Sequence, residues 1–251
     1  SFVGKFTNIQ QIAIHNNILT GTIPIEIGEL TAMQLLYLDR NHLSGPLPGE
    51  VGQLTALEQL AIYNNLISGP LPREMGQLTS LEQLILDKNR LSGPIPGEMG
   101  LLVGIIDMRL NDNFLAGMLP VAIAGMMKLS NLFLQNNLLT GRLDGLFNHS
   151  AQQELTTIEM SNNLLSGSLS AELFLLPQLA VVSLSVNCFE EALPESLCRA
   201  SNVEVLSLNG LLAAEGCPER VVMPLTDVAL FNTVGGTVPS CVWAMRNLSV
   251  L

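Results

Sequence analysis

Along most of this chain apolar and polar positions alternate in a pattern that returns every 24 residues. Pairs of aliphatic residues set the register: Ile12 and Ile14, Leu36 and Leu38, Leu60 and Ile62, Leu84 and Leu86, Met108 and Leu110, Leu132 and Leu134. Each pair brackets one residue, so the pattern predicts a short strand with one face buried. Three residues after each pair stands an asparagine: Asn17, Asn41, Asn65, Asn89, Asn113 and Asn137. A glycine follows four residues later, at Gly21, Gly45, Gly69, Gly93, Gly117 and Gly141. Gly93 stands where a Cβ would penalise the backbone, and Pro96 marks an irregular outer side where no ladder N–H is needed. Leu91, Ile95 and Met99 are expected to point inward. An amide side chain both donates and accepts, so the asparagines predict a ladder that satisfies backbone groups inside the core. A period in the twenties predicts stacked coils, each too small to bury a core alone.

The fuller motif, N-x-L-S-G-x-I-P-x-E-[ILMV]-G-x-L, runs from Asn41 to Leu54 and from Asn65 to Leu78, and nearly so from Asn17 to Leu30. It closely resembles the plant-type leucine-rich repeat family, known from ectodomains of receptor-like kinases and receptor-like proteins and from secreted inhibitors. Similar repeats occur in surface proteins of algae and other protists, which the block from Asn187 to Cys198 resembles more. The resemblance covers nearly the whole chain. It implies an α/β solenoid: a right-handed superhelix with a parallel sheet on its concave face and an irregular or 3-10 convex side. Residues 1–251 are expected to form a single array of about ten coils. At about 4.8 Å per strand this would span roughly 45 Å. Both ends read as cut, because no polar capping coil is visible.

Composition narrows the possibilities. Hydrophobic residues make up 48% of the chain, matching an apolar residue at nearly every inward position. No apolar run approaches the roughly 20 residues of a membrane span. A membrane is therefore expected only through parts of the parent absent from this chain. The net charge of −11 argues against nucleic acid as a partner. Many carboxylates share one outer position, Glu26, Glu50, Glu74 and Glu98, where they read as a solvated edge rather than as a calcium cage. No metal site and no cofactor are expected. His15, His42 and His149 fall in different coils, and no nucleophile, phosphate-loop or zinc-protease motif is present, so no enzyme activity is expected.

The repeat breaks twice. Asn137 and Asn163 are 26 residues apart, and the two extra residues fall within 144–153, with Asp144 in place of the proline. This stretch holds the glycosylation sequon Asn148-His149-Ser150, where an insertion on the outer side would be exposed. A second sequon begins at Asn247, with its next two residues at a core position and entering a strand. The other irregular stretch, 187–241, carries all four cysteines: Cys188, Cys198, Cys217 and Cys241. An even count in one region predicts two disulfides and an oxidising compartment. Of three possible pairings, Cys188–Cys198 with Cys217–Cys241 is favoured, as clamps on one or two adjacent coils.

Residues that point opposite to the strand leucines define the concave face. One column reads Ala13, Tyr37, Ala61, Ile85, Arg109, Phe133, Glu159, Ser183; the next reads His15, Asp39, Tyr63, Asp87, Asn111, Gln135, Ser161, Ser185. Both tyrosines of the chain lie here. Tyr and Arg are over-represented among binding hot spots. The candidate ligand-binding set is therefore Tyr37, Asp39, Tyr63, Asp87, Arg109, Asn111, Phe133 and Gln135. The family resemblance implies recognition of a protein or peptide ligand, with a co-receptor as a further partner, in the extracellular or cell-surface region of a receptor-like protein. A secreted inhibitor of a cell-wall-degrading enzyme and a cell-surface adhesion protein are the alternatives.

Overall fold

The computed structural model describes residues 8–189, 193–210 and 217. Each 24-residue period closes one coil of a solenoid. Nine short parallel strands, from Gln11–Ala13 to Val205–Ser207, line up in sequence order as one sheet. Their register follows the period: Leu36 pairs Leu60, which pairs Leu84. The 26-residue step leaves the sheet unbroken, because Phe133 pairs Glu159 and Asn131 pairs Thr157. The tenth coil expected from the sequence lies outside the described residues.

Each coil then turns and adds a second strand, such as Leu66–Gly69 or Arg90–Gly93, to an eight-stranded parallel sheet on the flank. The motif N-x-L-S-G supplies it. Its glycines hold φ between +75° and +91° from Gly21 to Gly141, a region that a side chain strains. The residue before each ladder asparagine also has positive φ without being glycine: Asn16, Arg40, Asn64, Lys88, Asp112, Asn136, Asn162 and Val186, at 53° to 59°.

The convex side is built of 3-10 segments, and no α-helix occurs among the described residues. Pro48 sets the entry at φ −71°, and its carbonyl accepts the Val51 N–H at 3.1 Å. Pro24, Pro72, Pro96 and Pro120 open the equivalent segments. The glycine that follows lets neighbouring coils close on each other. A Cβ on Gly52 would lie 2.3 Å from the Glu74 carbonyl oxygen, and one on Gly76 would lie 2.3 Å from that of Glu98. Inside, one continuous core runs from Ile23 to Val203 and includes Leu84, Leu86, Leu91, Ile95 and Met99.

The asparagine ladder holds the backbone of this core. The Nδ2 of Asn89 donates to Leu86 O at 3.1 Å and Asp87 O at 3.3 Å in its own turn, and to Ile62 O of the preceding coil at 3.0 Å. Its Oδ1 accepts the N–H of Ile67, also in the preceding coil, at 3.0 Å. The same bonds recur at Asn41, Asn65, Asn113, Asn137, Asn163 and Asn187. Each of these buried side-chain amides therefore pairs with backbone groups of two adjacent coils.

The favoured cysteine pairing is corrected. Cys188 bonds Cys217, with Cα atoms 5.5 Å apart. Cys188 lies in the flank strand Cys188–Phe189, whereas Cys198 lies in the 3-10 segment Glu195–Arg199 on the outer side of the same coil. The clamp joins a coil to the stretch that follows it, not two sides of one coil. Cys217 packs there against Leu164 and Val186, and its Sγ lies 3.5 Å from the Asn187 carbonyl. Cys198 is also disulfide-bonded. Cys241 and the sequon at Asn247 lie outside the described residues.

Candidate functional site on the concave sheet

Strand alternation sends Leu84 and Leu86 into the core and leaves the residues between and beside them on the open face. The concave columns stand where that alternation puts them, but their side chains are not independent. Tyr37 donates its hydroxyl to Oε1 of Gln59 on the next strand, and the His15 ring stands edge-on to the Tyr37 ring, with centroids 6.2 Å apart. Asp39 is 5% exposed, which places it beneath the surface rather than on it. Burial and the neighbouring Asp39 carboxylate together raise the Tyr63 pKa above its ordinary value. The Arg40 guanidinium lies 5.6 Å from the centre of the Tyr63 ring.

Arg109 is held on two sides. Asp107, on the same strand and the same face, accepts its Nε and Nη2 in a forked pair, with the shorter distance 2.7 Å. The guanidinium also sits 5.1 Å from the centre of the Phe133 ring in the next coil. The Asp107 pair raises the Arg109 pKa. Asp87, half-buried one coil away, has its carboxyl raised by loss of water, partly offset by its own backbone bond and by Lys88 and Arg109. Glu159 is also raised by burial. Asn111 turns its amide to Asp112 at 2.7 Å. Gln135 keeps Oε1 buried without a hydrogen-bond partner among the described residues.

The structure thus joins Asp39 to Tyr63 and Arg109 to Phe133, with Asp87 between the two pairs. Two contributors lie in a third column that strand reasoning passed over, one residue before the first inward leucine. Gln59 and Asp107 belong to it, with Gln83 and Asn131 as neighbours. The signal was available, because residues two apart on a strand share a face. Arg40 escaped for another reason: it occupies a turn whose positive φ no strand rule predicts. Among the described residues no cluster of His, Cys, Asp and Glu could hold a metal, and no helix is long and apolar enough to cross a membrane.

The Leucine Rich Repeat family profile matches residues 80–102. No curated protein sequence matches the chain. Solved structures do. The plant peptide hormone receptor RGFR1, in complex with RGF2, superimposes with TM-score 0.78 at 28% identity, covering 82% of this chain and 33% of the receptor chain. The ectodomain of the Arabidopsis receptor kinase HAESA, in complex with an N-terminally extended IDA peptide hormone, gives 0.77 at 27% identity, with 97% and 38% covered. A leucine-rich repeat protein of Leptospira interrogans gives 0.71 at 26% identity, with 99% and 55% covered. The chain spans about a third of the length of the two plant receptors. By its repeat, and by a backbone similar to that of these receptor ectodomains, the chain resembles the plant-type leucine-rich repeat proteins.

Proposed function

We propose that the chain is a non-enzymatic recognition module for a peptide or protein, within the extracellular ligand-sensing region of a receptor-like protein. One observation carries this reading. The concave sheet presents Tyr37, Tyr63, Arg109 and Phe133 in consecutive or near-consecutive coils, each fixed by a neighbour rather than free to collapse. Aromatic rings and a guanidinium held in place lose little freedom on binding, which is what favours such residues at hot spots. The face is open and mixed in polarity, which suits an extended chain better than a small molecule. The likeness to ectodomains solved with peptide hormones supports the same class of ligand. A disulfide between Cys188 and Cys217 supports an extracellular or cell-surface location.

Panning a phage-displayed library of random linear peptides against the secreted chain tests the proposal. Enriched peptides are expected to lose about 2 kcal/mol, roughly thirtyfold in Kd, on Tyr63→Ala, and to ignore Glu50→Ala and Arg73→Ala on the convex side. Peptides that depend on the convex residues and not on Tyr63 would place recognition on the other face.

A further inference from the structure

The outer side of the solenoid changes character in its middle. In the first four described coils a glutamate stands second in each 3-10 segment, at Glu26, Glu50, Glu74 and Glu98. The next segment, Val121–Gly125, carries Ala122 in that place and no acid in its first turn. Here the surface is apolar. Val121 is 67% exposed, Met127 59%, Leu101 59% and Val103 55%. Four large apolar side chains this exposed on two adjoining coils form a patch that water alone covers poorly.

The segment stacked on Val121–Gly125 contains the two-residue insertion, and one buried polar side chain bridges the two. Gln152 is fully buried. Its Nε2 donates to the Ile123 carbonyl at 3.0 Å, and its Oε1 accepts the Asn148 N–H at 2.9 Å. A single glutamine amide therefore separates Asn148 from the backbone of the apolar segment. Leu146 and Phe147 anchor the insertion from within, at 2% and 3% exposure. Asn148, His149 and Ser150 are exposed together at its tip. The Asn148 Oδ1 accepts the Ser150 N–H at 3.0 Å, while Nδ2 has no partner among the described residues. The atom that a glycan would modify is the one left accessible.

We infer that Asn148 carries an N-linked oligosaccharide whose first sugars lie against the patch of Val121, Met127, Leu101 and Val103. The inference rests on the extracellular reading above. The donor is a polyprenyl-pyrophosphate-linked oligosaccharide. Asn148 Nδ2 attacks its anomeric carbon and an N–C bond forms. The C–O bond to pyrophosphate breaks, pyrophosphate leaves with the electron pair, and Nδ2 gives up one proton. The apolar faces of the sugar rings then replace water over the patch, and their hydroxyls face solvent.

The test uses the full chain carrying Asn247→Gln, expressed in cultured eukaryotic cells behind a heterologous secretion signal. That signal delivers the chain to the glycosylation machinery wherever the protein naturally resides. Occupancy at Asn148 is thereby separated from the extracellular reading, which is checked by locating the protein in its own cells. Intact mass should fall by one oligosaccharide on N-glycosidase treatment, with Asn148 converted to Asp in the peptide map, and Ser150→Ala should abolish the modification. Secreted, folded protein with bare Asn148 overturns the site. Enzymatic deglycosylation, which changes no core residue, should raise the fluorescence of an apolar dye, and Val121→Ser with Met127→Ser should remove the rise. Unchanged fluorescence overturns the covering role. So does self-association of the glycosylated protein that the two serines abolish, since the patch then belongs to a second copy.

Discussion

The asparagine ladder and the concave sheet are built from neighbouring residues of the same coils, yet they behave in opposite ways. Along the ladder one residue type repeats from Asn41 to Asn187, with the same partners and distances that differ by a few tenths of an ångström. Across the strand, Ala61, Ile85, Arg109, Phe133 and Glu159 follow one another with nothing in common. The ladder satisfies buried carbonyls and N–H groups that every coil exposes identically, so every coil must answer in the same way. The open face meets water, which accepts almost any side chain. What varies there is left free by the fold and available for recognition.

Breaking the ladder should have the largest effect. Asn89→Ala removes an amide that makes three donations and one acceptance in a buried layer. A loss of about 3 kcal/mol is expected in the urea midpoint, at the upper end for orphaned backbone groups. Among the described residues the Asn17 side chain bonds only to Ile14 and His15 of its own turn, and it is exposed, so Asn17→Ala should lose under about 1 kcal/mol. Equal losses at the two positions would mean that burial and coil-to-coil bonding contribute nothing.

The outer side sharpens the comparison. Gly76→Ala drives a Cβ onto the Glu98 carbonyl and should destabilise by about 2 kcal/mol, while Gly125→Ala, where nothing lies within 4 Å, should change thermal stability by less than about 0.5 kcal/mol. A next smaller effect belongs to the concave face. Arg109→Ala leaves Asp107, whose side chain is 11% exposed, without its partner. Because Arg109 is itself 44% exposed, solvent screens the pair and the expected loss is on the order of 1 kcal/mol. The strand pattern alone would have this change leave folding nearly intact. Asp107→Asn together with Arg109→Ala should recover part of the loss.

The smallest effect is a pH dependence at Asp87. Burial raises its folded pKa above the unfolded value, so the folded state holds the proton more tightly. The ionised form therefore opposes folding above the folded pKa, and this opposition is relieved as pH falls through it. Asp87→Asn should raise the melting temperature slightly at neutral pH and leave it unchanged in acid below both pKa values. A gain that persists in acid would point to packing instead of charge.

The period of 24 made the strands, the ladder, the inward leucines and the concave columns legible, because each depends on spacing alone. Other features depend on what packs beside them. The bond between Cys188 and Cys217 depends on Cys217 packing beside Leu164 and Val186, which no repeat register predicts. Gln152 lies in the insertion, where the repeat offers no template for a polar residue in the core. Asp39 was readable as facing the sheet but not as lying beneath Tyr63, because ring size in the next coil determines its cover. The pairing of Arg109 with Asp107 was within reach of strand geometry, had three positions per strand been considered instead of two.

The ladder also has a direction. Asn65 serves the Leu43 N–H and the Leu38 carbonyl, and Asn89 serves Ile67 and Ile62 in the same sense, so each coil is completed by the coil that follows it in sequence. A chain emerging from the ribosome N-terminus first therefore always carries one unfinished coil at its growing end. The coil behind it closes only when the next asparagine has emerged. The order in which coils can be completed is thus the order of the sequence, one period at a time.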